Sequence, residues 1–414
     1  MNLITKIQIA VAILLASCGG SYQAKDINQK DKKMIADSTK QYGYNRDFLK
    51  KHINIIELKN NNSAITLIPA WQGRVMTSTS EGDAGFSFGW INSELIASGE
   101  VLKHINPFGG EERLWLGPEG GQFSIFFTKG KKFIYDDWQT PAFLDTTPFE
   151  LTSSTDTSAM FRCDIETENY SGTKFKLRIE REVILLSETE IIKQTYIDTK
   201  GLNCVAYKSD NIISNRGENE WKKETGLLSI WMLGMFNPSP SVVIVIPFKP
   251  GDEKILGPVV NDNYFGKISA DRLKVAGNHI FFKADGKSRG KIGFSQQRTT
   301  GIMGSFDAEN NILTLLICRL PERKRDYVNS SWQIQENPYS GDALNSYNDG
   351  PLEDGSQMGP FYELETSSPA ADLKPGDSLS HIQYTMHITG DYKKLDKVSR
   401  EVLGVSLEDI KTAF

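Results

Sequence analysis

The sequence predicts an all-β protein, a large antiparallel β-supersandwich with a short C-terminal helical tail. About fifteen short segments of strand character follow one another from Ile55, separated by Gly, Asn, Asp and Pro, which favour turns. No regular alternation of strands and helices, of the kind that builds parallel sheets, interrupts them. No repeat of fixed period is visible, which argues against a propeller.

Length and composition favour one main domain. The 414 residues are 39% hydrophobic and 24% charged, as in an ordinary globular protein. No change of composition marks a linker inside the β region. We therefore assign a β domain to residues 55–392, preceded by a tether with a short helix at 18–54 and followed by the helical tail at 393–414. The net charge of -5 argues against a nucleic-acid partner, which would need a basic face.

Hydrophobic periodicity identifies the individual elements. Residues 175–180 alternate between apolar and charged, as a half-exposed antiparallel strand should. Residues 242–246 are apolar throughout, which predicts a strand buried on both faces. A helix is expected to begin near Asn45. The other predicted strands are 64–68, 73–77, 86–91, 122–128, 189–198, 204–209, 227–236, 267–275, 279–283, 290–295, 312–320 and 379–388.

The first functional candidate is the stretch 104–122, which we predict to be a loop. It contains five glycines and two prolines, which interrupt regular structure, together with three glutamates, one arginine and one tryptophan. One interpretation is a structured loop that presents these groups at a pocket, and the other is a packed connection whose charges face water. On the first interpretation the substrate-binding candidates are Glu111, Glu112, Arg113, Trp115 and Glu119.

The second candidate is a carboxylate pair in the stretch 359–381. Glu363 and Glu365 are two residues apart, so on a strand they share one face. In a dry site mutual repulsion would raise at least one pKa, which is one way to make a general acid or base near neutral pH. The alternative is an exposed pair on a solvated strand face.

The residues around this pair resemble a known family. Leu364-Glu365-Thr366, followed by Ser-Ser-Pro-Ala at 367–370, is similar to the late catalytic segment of aldose 1-epimerases, the galactose mutarotases. The Lys-Pro-Gly-Asp turn at 374–377 and the early Gln-Gly-Arg-Val segment at 72–75 resemble the same superfamily. The chain looks closest to uncharacterised bacterial lipoproteins of this galactose mutarotase-like kind.

This resemblance implies a β-supersandwich in which Glu365 is the catalytic base. Glu363 stands beside that base. The epimerases also use two histidines near the sugar. Of the five histidines in this chain, only His104 lies next to a candidate site segment. The family mechanism is therefore matched in part, with His104 as the single candidate acid.

A carbohydrate ligand is consistent with these residue types. A sugar presents an apolar face and a ring of hydroxyls, so its site needs aromatic platforms and paired polar groups. Trp90 and Tyr362 are further candidate platforms, and Asp349 is a further polar partner. A glycoside hydrolase or lyase-associated protein using paired carboxylates, or a sugar-binding protein without catalysis, are the alternatives. We expect no cofactor and no metal, since no dinucleotide, phosphate-loop or zinc-type motif is present.

The N-terminus resembles a bacterial lipoprotein signal. Lys6 supplies a positive region, and a short apolar run leads to Leu-Ala-Ser-Cys at 15–18. The resemblance implies that residues 1–17 are removed and that Cys18 is lipidated. We therefore expect a protein of the bacterial cell envelope, anchored by lipid at the periplasmic face or the cell surface. We predict that Cys163, Cys204 and Cys318 are buried thiols. A disulfide between two of them is the alternative.

Overall fold

Strand pairing organises residues 38–414, the part of the chain that this computed structural model describes. Within these residues, eighteen strands form three sheets, and every pairing between the strands is antiparallel. The strands are β1 Ile56–Asn60, β2 Ser63–Ile68, β3 Arg74–Thr79, β4 Arg113–Gly117, β5 Glu150–Ser154, β6 Ser158–Glu168, β7 Lys174–Leu185, β8 Asn203–Asn215, β9 Ser229–Phe236, β10 Val242–Pro247, β11 Leu273–Ala276, β12 His279–Lys283, β13 Gly290–Phe294, β14 Ile302–Asp307, β15 Ile312–Cys318, β16 Leu344–Asn348, β17 Tyr362–Ser367 and β18 Ser378–Thr389.

Two of the sheets form the main body of the fold. The larger has ten strands in the order β11-β12-β10-β14-β15-β18-β8-β7-β6-β5, and the smaller has five in the order β13-β16-β17-β9-β4. Apolar side chains from both sheets meet in one cluster, including Phe282 and Leu316 from the ten strands with Ile292 and Leu364 from the five. Burying this surface stabilises the fold by about 25 cal/mol per Å². The predicted all-β antiparallel architecture is confirmed.

Strand alternation gives the five-stranded sheet two different faces. In β17, Leu364 is part of the apolar cluster between the sheets, whereas Glu363 and Glu365 point to the opposite side. The same rule places Lys291 of β13 and Trp231 of β9 on that outer side. The outer face of this sheet therefore carries two carboxylates, an ammonium group and an indole.

Short helices complete the structure. They are α1 Tyr42–His52, α2 Ser93–Ser98, α3 Ala142–Asp145, α4 Glu188–Thr195, α5 Glu253–Leu256, α6 Tyr392–Val402 and α7 Leu407–Lys411. The C-terminal pair packs Leu395 and Ile410 against Val245 and Leu315 of the ten-stranded sheet. This contact gives α6 and α7 a partner for their apolar faces, as isolated helices of this length are unstable in water.

Several local predictions were wrong. Residues 86–91 contribute isolated bridges at Phe86, Gly89 and Ile91 and no strand, and within 267–275 the strand begins only at Leu273. The predicted strand 189–198 overlaps helix α4, Glu188–Thr195, because Ser187 and Glu190 make a reciprocal capping box at the start of that helix. Residues 122–128 contribute one isolated bridge at Phe127 and no strand. The stretch 104–122 is not all loop, since residues 113–117 form β4, which pairs with β9.

The predicted signal peptide and Cys18 lie outside the described residues. Within residues 38–414, no helix has the length and apolar character needed to cross a bilayer. Cys163, Cys204 and Cys318 are all free thiols, and Cys318 is buried.

Candidate functional site

A large cleft lies over the outer face of the five-stranded sheet. Its volume is about 1380 Å³, and it opens to solvent. Strands β9, β13 and β16 supply its floor, and the segments around residues 102–107, 261–265, 328–333 and 349–358 supply its walls. The groups that carry its chemistry are His104, Glu119, Trp231, Tyr264, Arg289, Lys291, Trp332, Asp342, Asn345, Tyr347 and Asp349.

Lys291 of the edge strand β13 lines the floor. Its ammonium group donates to both carboxylate oxygens of Glu365, at 2.9 and 3.0 Å. It also lies 4.8 Å from the ring centroid of Trp231 and 5.6 Å from that of Tyr264. The rings of Trp231 and Tyr264 thus lie beside the ammonium group. The carboxylate of Glu365 neutralises its charge.

Glu365 is fully buried beneath this lysine. The indole Nε1 of Trp231 also donates to it, at 2.8 Å. Glu365 does not line the cleft, whereas Lys291 and Trp231 do. Its direct role in the structure is therefore to fix two groups that face the cavity.

Asp342 forms a second polar centre on the cleft wall. It accepts hydrogen bonds from the Tyr264 hydroxyl at 2.5 Å and from Asn261 Nδ2 at 3.1 Å. Asn345 in turn donates to the Tyr264 hydroxyl at 3.0 Å. Burial raises the pKa of Asp342, and the hydrogen bonds from Tyr264 and Asn261 oppose the rise. A carboxyl and a phenol that are hydrogen-bonded to each other therefore line the cleft wall.

Glu119 faces the cleft from the segment after β4. Burial raises its pKa to about 7, while Lys291 lowers it, the charge of Glu365 raises it, and a hydrogen bond from Trp332 lowers it. A carboxyl with this pKa exchanges its proton near neutral pH, as a general acid or base must. Its main chain is held by the hydroxyl of Ser330, which accepts from the Glu119 N–H at 3.1 Å.

The other predicted carboxylate, Glu363, pairs with Arg113 in a buried salt bridge. Burial raises the pKa of Glu363 to about 7, Arg113 lowers it, and the neighbouring Glu365 raises it. Arg113 also lies 5.2 Å from the ring centroid of Trp115, which contacts Trp231 edge-on at 5.5 Å. The two stretches singled out in the sequence therefore meet, since β4 and β17 both pair with β9.

Two further predicted residues line the cleft. His104 Nδ1 lies 2.6 Å from the Trp138 carbonyl oxygen, and its ring packs against Tyr135. Asp349 accepts from the Tyr347 hydroxyl at 2.6 Å and from the Gly359 N–H at 3.0 Å. Burial raises the pKa of Asp349, and these bonds oppose the rise.

Eight predicted site residues do not line the cleft. Glu365, Glu363, Arg113 and Trp115 are buried near its floor, and four others lie further away. Glu111 and Glu112 are buried in the interior between sheets, where they contact His387 and Arg181 respectively. Tyr362 faces inward from β17, and its hydroxyl is 2.8 Å from Ser305. Trp90 is buried against Phe361. Strand alternation turns Tyr362 inward, and long-range contacts around the other three place them in the core.

The sequence interpretation did not select Lys291, Tyr264, Asp342 or Arg289. Alternation within the predicted strand 290–295 could have placed Lys291 on one face with Gly293. No local pattern indicates that this face lies beside Glu365, because the contact depends on strand order. Among the described residues, no group of three or more His, Cys, Asp or Glu side chains is arranged to hold a metal ion.

The fold and the cleft define a class of protein, an antiparallel β-supersandwich with an open aromatic and charged cavity on its smaller sheet. The chain belongs to a family described as "Family of unknown function (DUF6786)", whose model matches residues 40–414. No curated protein matches the sequence.

Solved structures share the fold at low sequence identity. The Slr1438 protein of Synechocystis sp. PCC 6803 is 12% identical, with a TM-score of 0.50 over 82% of this chain and 96% of that one. A galactose mutarotase-like protein from Lactobacillus casei ATCC 334 is 9% identical, with a TM-score of 0.48 over 81% and 100%. A galactose mutarotase related enzyme from Lactobacillus acidophilus is 12% identical, with a TM-score of 0.45 over 82% and 99%. The likeness to the Slr1438 protein is a likeness of fold, and structures described as galactose mutarotase-like or mutarotase-related are among those that resemble this chain.

Proposed function

We propose that this protein binds a carbohydrate in the cleft over the five-stranded sheet. The observation that carries the proposal is the convergence there of aromatic rings and fixed polar groups. Trp231 and Tyr264 flank Lys291, and Asp342 with Asn345 offers hydrogen-bonding groups beside them. Sugar rings need both, because their C–H faces pack on aromatic rings while their hydroxyls donate and accept hydrogen bonds.

Binding is tested with a panel of neutral and acidic mono- and oligosaccharides, followed by thermal shift and calorimetry. A ligand raises the melting temperature by mass action, and the shift grows with its concentration. Asp342→Asn keeps the shape of the side chain but changes one acceptor into a donor, so affinity should fall about 10-fold. Asp164→Asn, which alters an exposed salt bridge with Arg178 outside the cleft, is the matched control. If no saccharide shifts the wild-type protein, the proposal is wrong.

Acid–base chemistry on the bound sugar, of the mutarotase or epimerase type, is the second candidate. It is supported by Glu119, which faces the cleft with a pKa of about 7. Glu365 is the base that the family resemblance implies, and it bonds to Lys291 beneath the cavity. The two carboxyls would therefore have different tasks, with Glu119 exchanging the proton and Glu365 positioning the lysine.

Anomer interconversion, measured by polarimetry or saturation-transfer NMR, separates an enzyme from a binding protein. Glu119→Gln should slow interconversion about 10²–10⁴-fold if Glu119 is the acid or base. Sugar affinity should change far less. Glu365→Gln should reduce rate and affinity together if it only holds Lys291. If the wild type binds a sugar but interconverts its anomers no faster than buffer does, the protein binds sugar without catalysis.

We also propose that the protein is anchored to the cell envelope through Cys18, as the lipoprotein-like signal predicts. Replacing Cys18 by alanine removes the thiol that would be acylated, so the protein should move from the membrane fraction to the soluble fraction. Metabolic labelling with a fatty acid should mark the wild type only. Unlabelled wild type, or a variant that still sediments with membranes, would contradict the anchor.

A further inference from the structure

The cleft is larger than a single sugar unit requires. Ligand sites for small molecules usually enclose about 300–1,000 Å³, whereas this cavity holds about 1380 Å³. Exposed apolar side chains also mark its edge, and such side chains are stabilised when a ligand covers them. They are Leu102, Tyr135, Phe265, Leu352 and Met358, each between 38% and 55% exposed.

Arg289 and the exposed Lys103 are the two cations of the cleft lining that have no anionic partner among the described residues, and Arg289 also packs on an aromatic ring. Arg289 precedes β13, two residues before Lys291, and its guanidinium lies 3.8 Å from the ring centroid of Phe265. No acidic oxygen of the described residues lies within 4 Å of that guanidinium. Lys291 differs, because both oxygens of Glu365 already bind its ammonium group. Arg289 therefore keeps its planar set of donors available to a ligand.

The acidic groups around Arg289 are engaged elsewhere or stand at the rim. Asp349 accepts from Tyr347 and Gly359, and Asp342 accepts from Tyr264 and Asn261. Asp354 accepts from Ser356, and Glu94 is exposed on helix α2. Glu119 takes a hydrogen bond from Trp332, and burial shifts its pKa towards neutrality. The cleft therefore combines one uncompensated guanidinium with carboxyls that are mostly bound within the protein.

We propose that the ligand of the cleft is an oligosaccharide carrying a carboxylate or sulfate group, and that Arg289 binds this group. This inference rests on the carbohydrate-binding function proposed above and specifies its substrate class. A guanidinium offers two parallel N–H donors to the two oxygens of either anion, which gives both strength and orientation. The guanidinium packs on the Phe265 ring at 3.8 Å, and the apolar rim contacts the neighbouring sugar units.

The test compares tetrasaccharides of matched length in neutral, uronate and sulfated forms by calorimetry. We expect at least one anionic form to bind about 10-fold or more tightly than its neutral counterpart, as one charge-assisted contact allows. Arg289→Ala should remove most of that preference, and Arg289→Lys should restore part of it as a point charge without the planar fork. Because Arg289 is exposed, neither variant should lower the melting temperature. Arg216→Ala, at an exposed arginine outside the cleft, is the control.

The outcomes distinguish the two proposals. Equal binding of neutral and anionic tetrasaccharides, unchanged in Arg289→Ala, would overturn the inference and leave the carbohydrate-binding function standing. Binding of no tetrasaccharide in any form would overturn both. A preference for the uronate or for the sulfated form alone would support the inference and identify which anion Arg289 receives.

Discussion

Glu119 combines access to the cleft with a pKa close to 7, which burial produces and which Lys291, Trp332 and Arg289 partly oppose. The usual value is 4.5, so the folded protein binds this proton more tightly than the unfolded chain does. By linkage, the contribution of Glu119 to stability is greatest below the unfolded value and is lost as the pH rises through about 7. A local environment thus places one carboxyl where its charge changes near neutral pH.

Glu119→Gln should therefore change stability in a pH-dependent way. Since glutamine does not titrate, the free energy of unfolding of the variant relative to wild type should increase by about 1–2 kcal/mol between about pH 5 and about pH 8. Urea titrations at several pH values measure this difference. Glu94→Gln, at an exposed position on the same cleft, gives the background for loss of one carboxylate. A difference that does not vary with pH would contradict the assignment.

At the scale of the element, β13 determines how closely the cleft wall approaches its floor. Gly293 lies on the same face of this strand as Lys291, and a Cβ there would overlap Asp342 Oδ2 and Asn345 Nδ2. The absence of a side chain at this position lets Asp342 sit against the strand while it accepts from Tyr264 and Asn261. Glycine is needed here for close approach rather than for an unusual backbone angle.

Gly293→Ala should displace the Asp342 carboxylate. We expect weaker saccharide binding and a loss of about 1–3 kcal/mol in the free energy of unfolding, since added volume in a packed site forces neighbours to move. Gly290→Ala in the same strand is the control, because a Cβ there would meet the flexible tip of Ile268 at 3.2 Å and no cleft carboxylate. Calorimetry and urea unfolding report the two effects. Equal affinities in the two variants would show that Asp342 is not displaced.

The elements also show where sequence reasoning succeeds. Alternation at 175–180 predicted strand β7, and the spacing of Glu363 and Glu365 correctly placed both on one face of β17. The same reasoning missed helix α4, whose capping box at Ser187 was a stronger signal than its β-branched residues. Local patterns record the face of a strand and the start of a helix, which are properties of neighbouring residues.

The assembly of the cleft could not be predicted in the same way. Lys291 and Glu365 are separated by 74 residues, and Arg113 and Glu363 by 250. They meet because β17 lies between β16 and β9, and β13 and β4 lie at the two edges of the same sheet. Strand order is set by long-range pairing, which leaves no periodic trace in one sequence. The residues around Glu119 therefore indicated a site in the sequence, whereas nothing local indicated Lys291, Tyr264 or Asp342.

At the scale of the whole molecule, a buried polar network joins the two large sheets. Glu112, immediately before β4, receives 2.7 Å hydrogen bonds from Arg181 of β7 and Gln383 of β18. Arg181 also donates to Asn211 at 2.6 Å and to the Gly73 carbonyl oxygen at 3.2 Å. Neither charged side chain has any exposed surface. An ion pair removed from water in this way needs every bond satisfied, because each unpaired charge would be costly.

This network predicts an asymmetry between single and double substitutions. Glu112→Gln leaves Arg181 as an uncompensated buried cation, so the free energy of unfolding should fall by about 3–5 kcal/mol. Replacing both, Glu112→Leu with Arg181→Met, removes the charges together and should restore part of that loss, because the buried charges are gone while Gln383 and Asn211 each lose a hydrogen-bond partner. Urea unfolding, followed by tryptophan fluorescence, gives the free energies of unfolding of the wild type and both variants. A saccharide that binds the wild type should still bind the double variant, since neither residue lines the cavity. If Glu112→Gln costs less than about 1 kcal/mol, or if the double variant is the least stable of the three, the pair does not join the sheets in the way its geometry indicates.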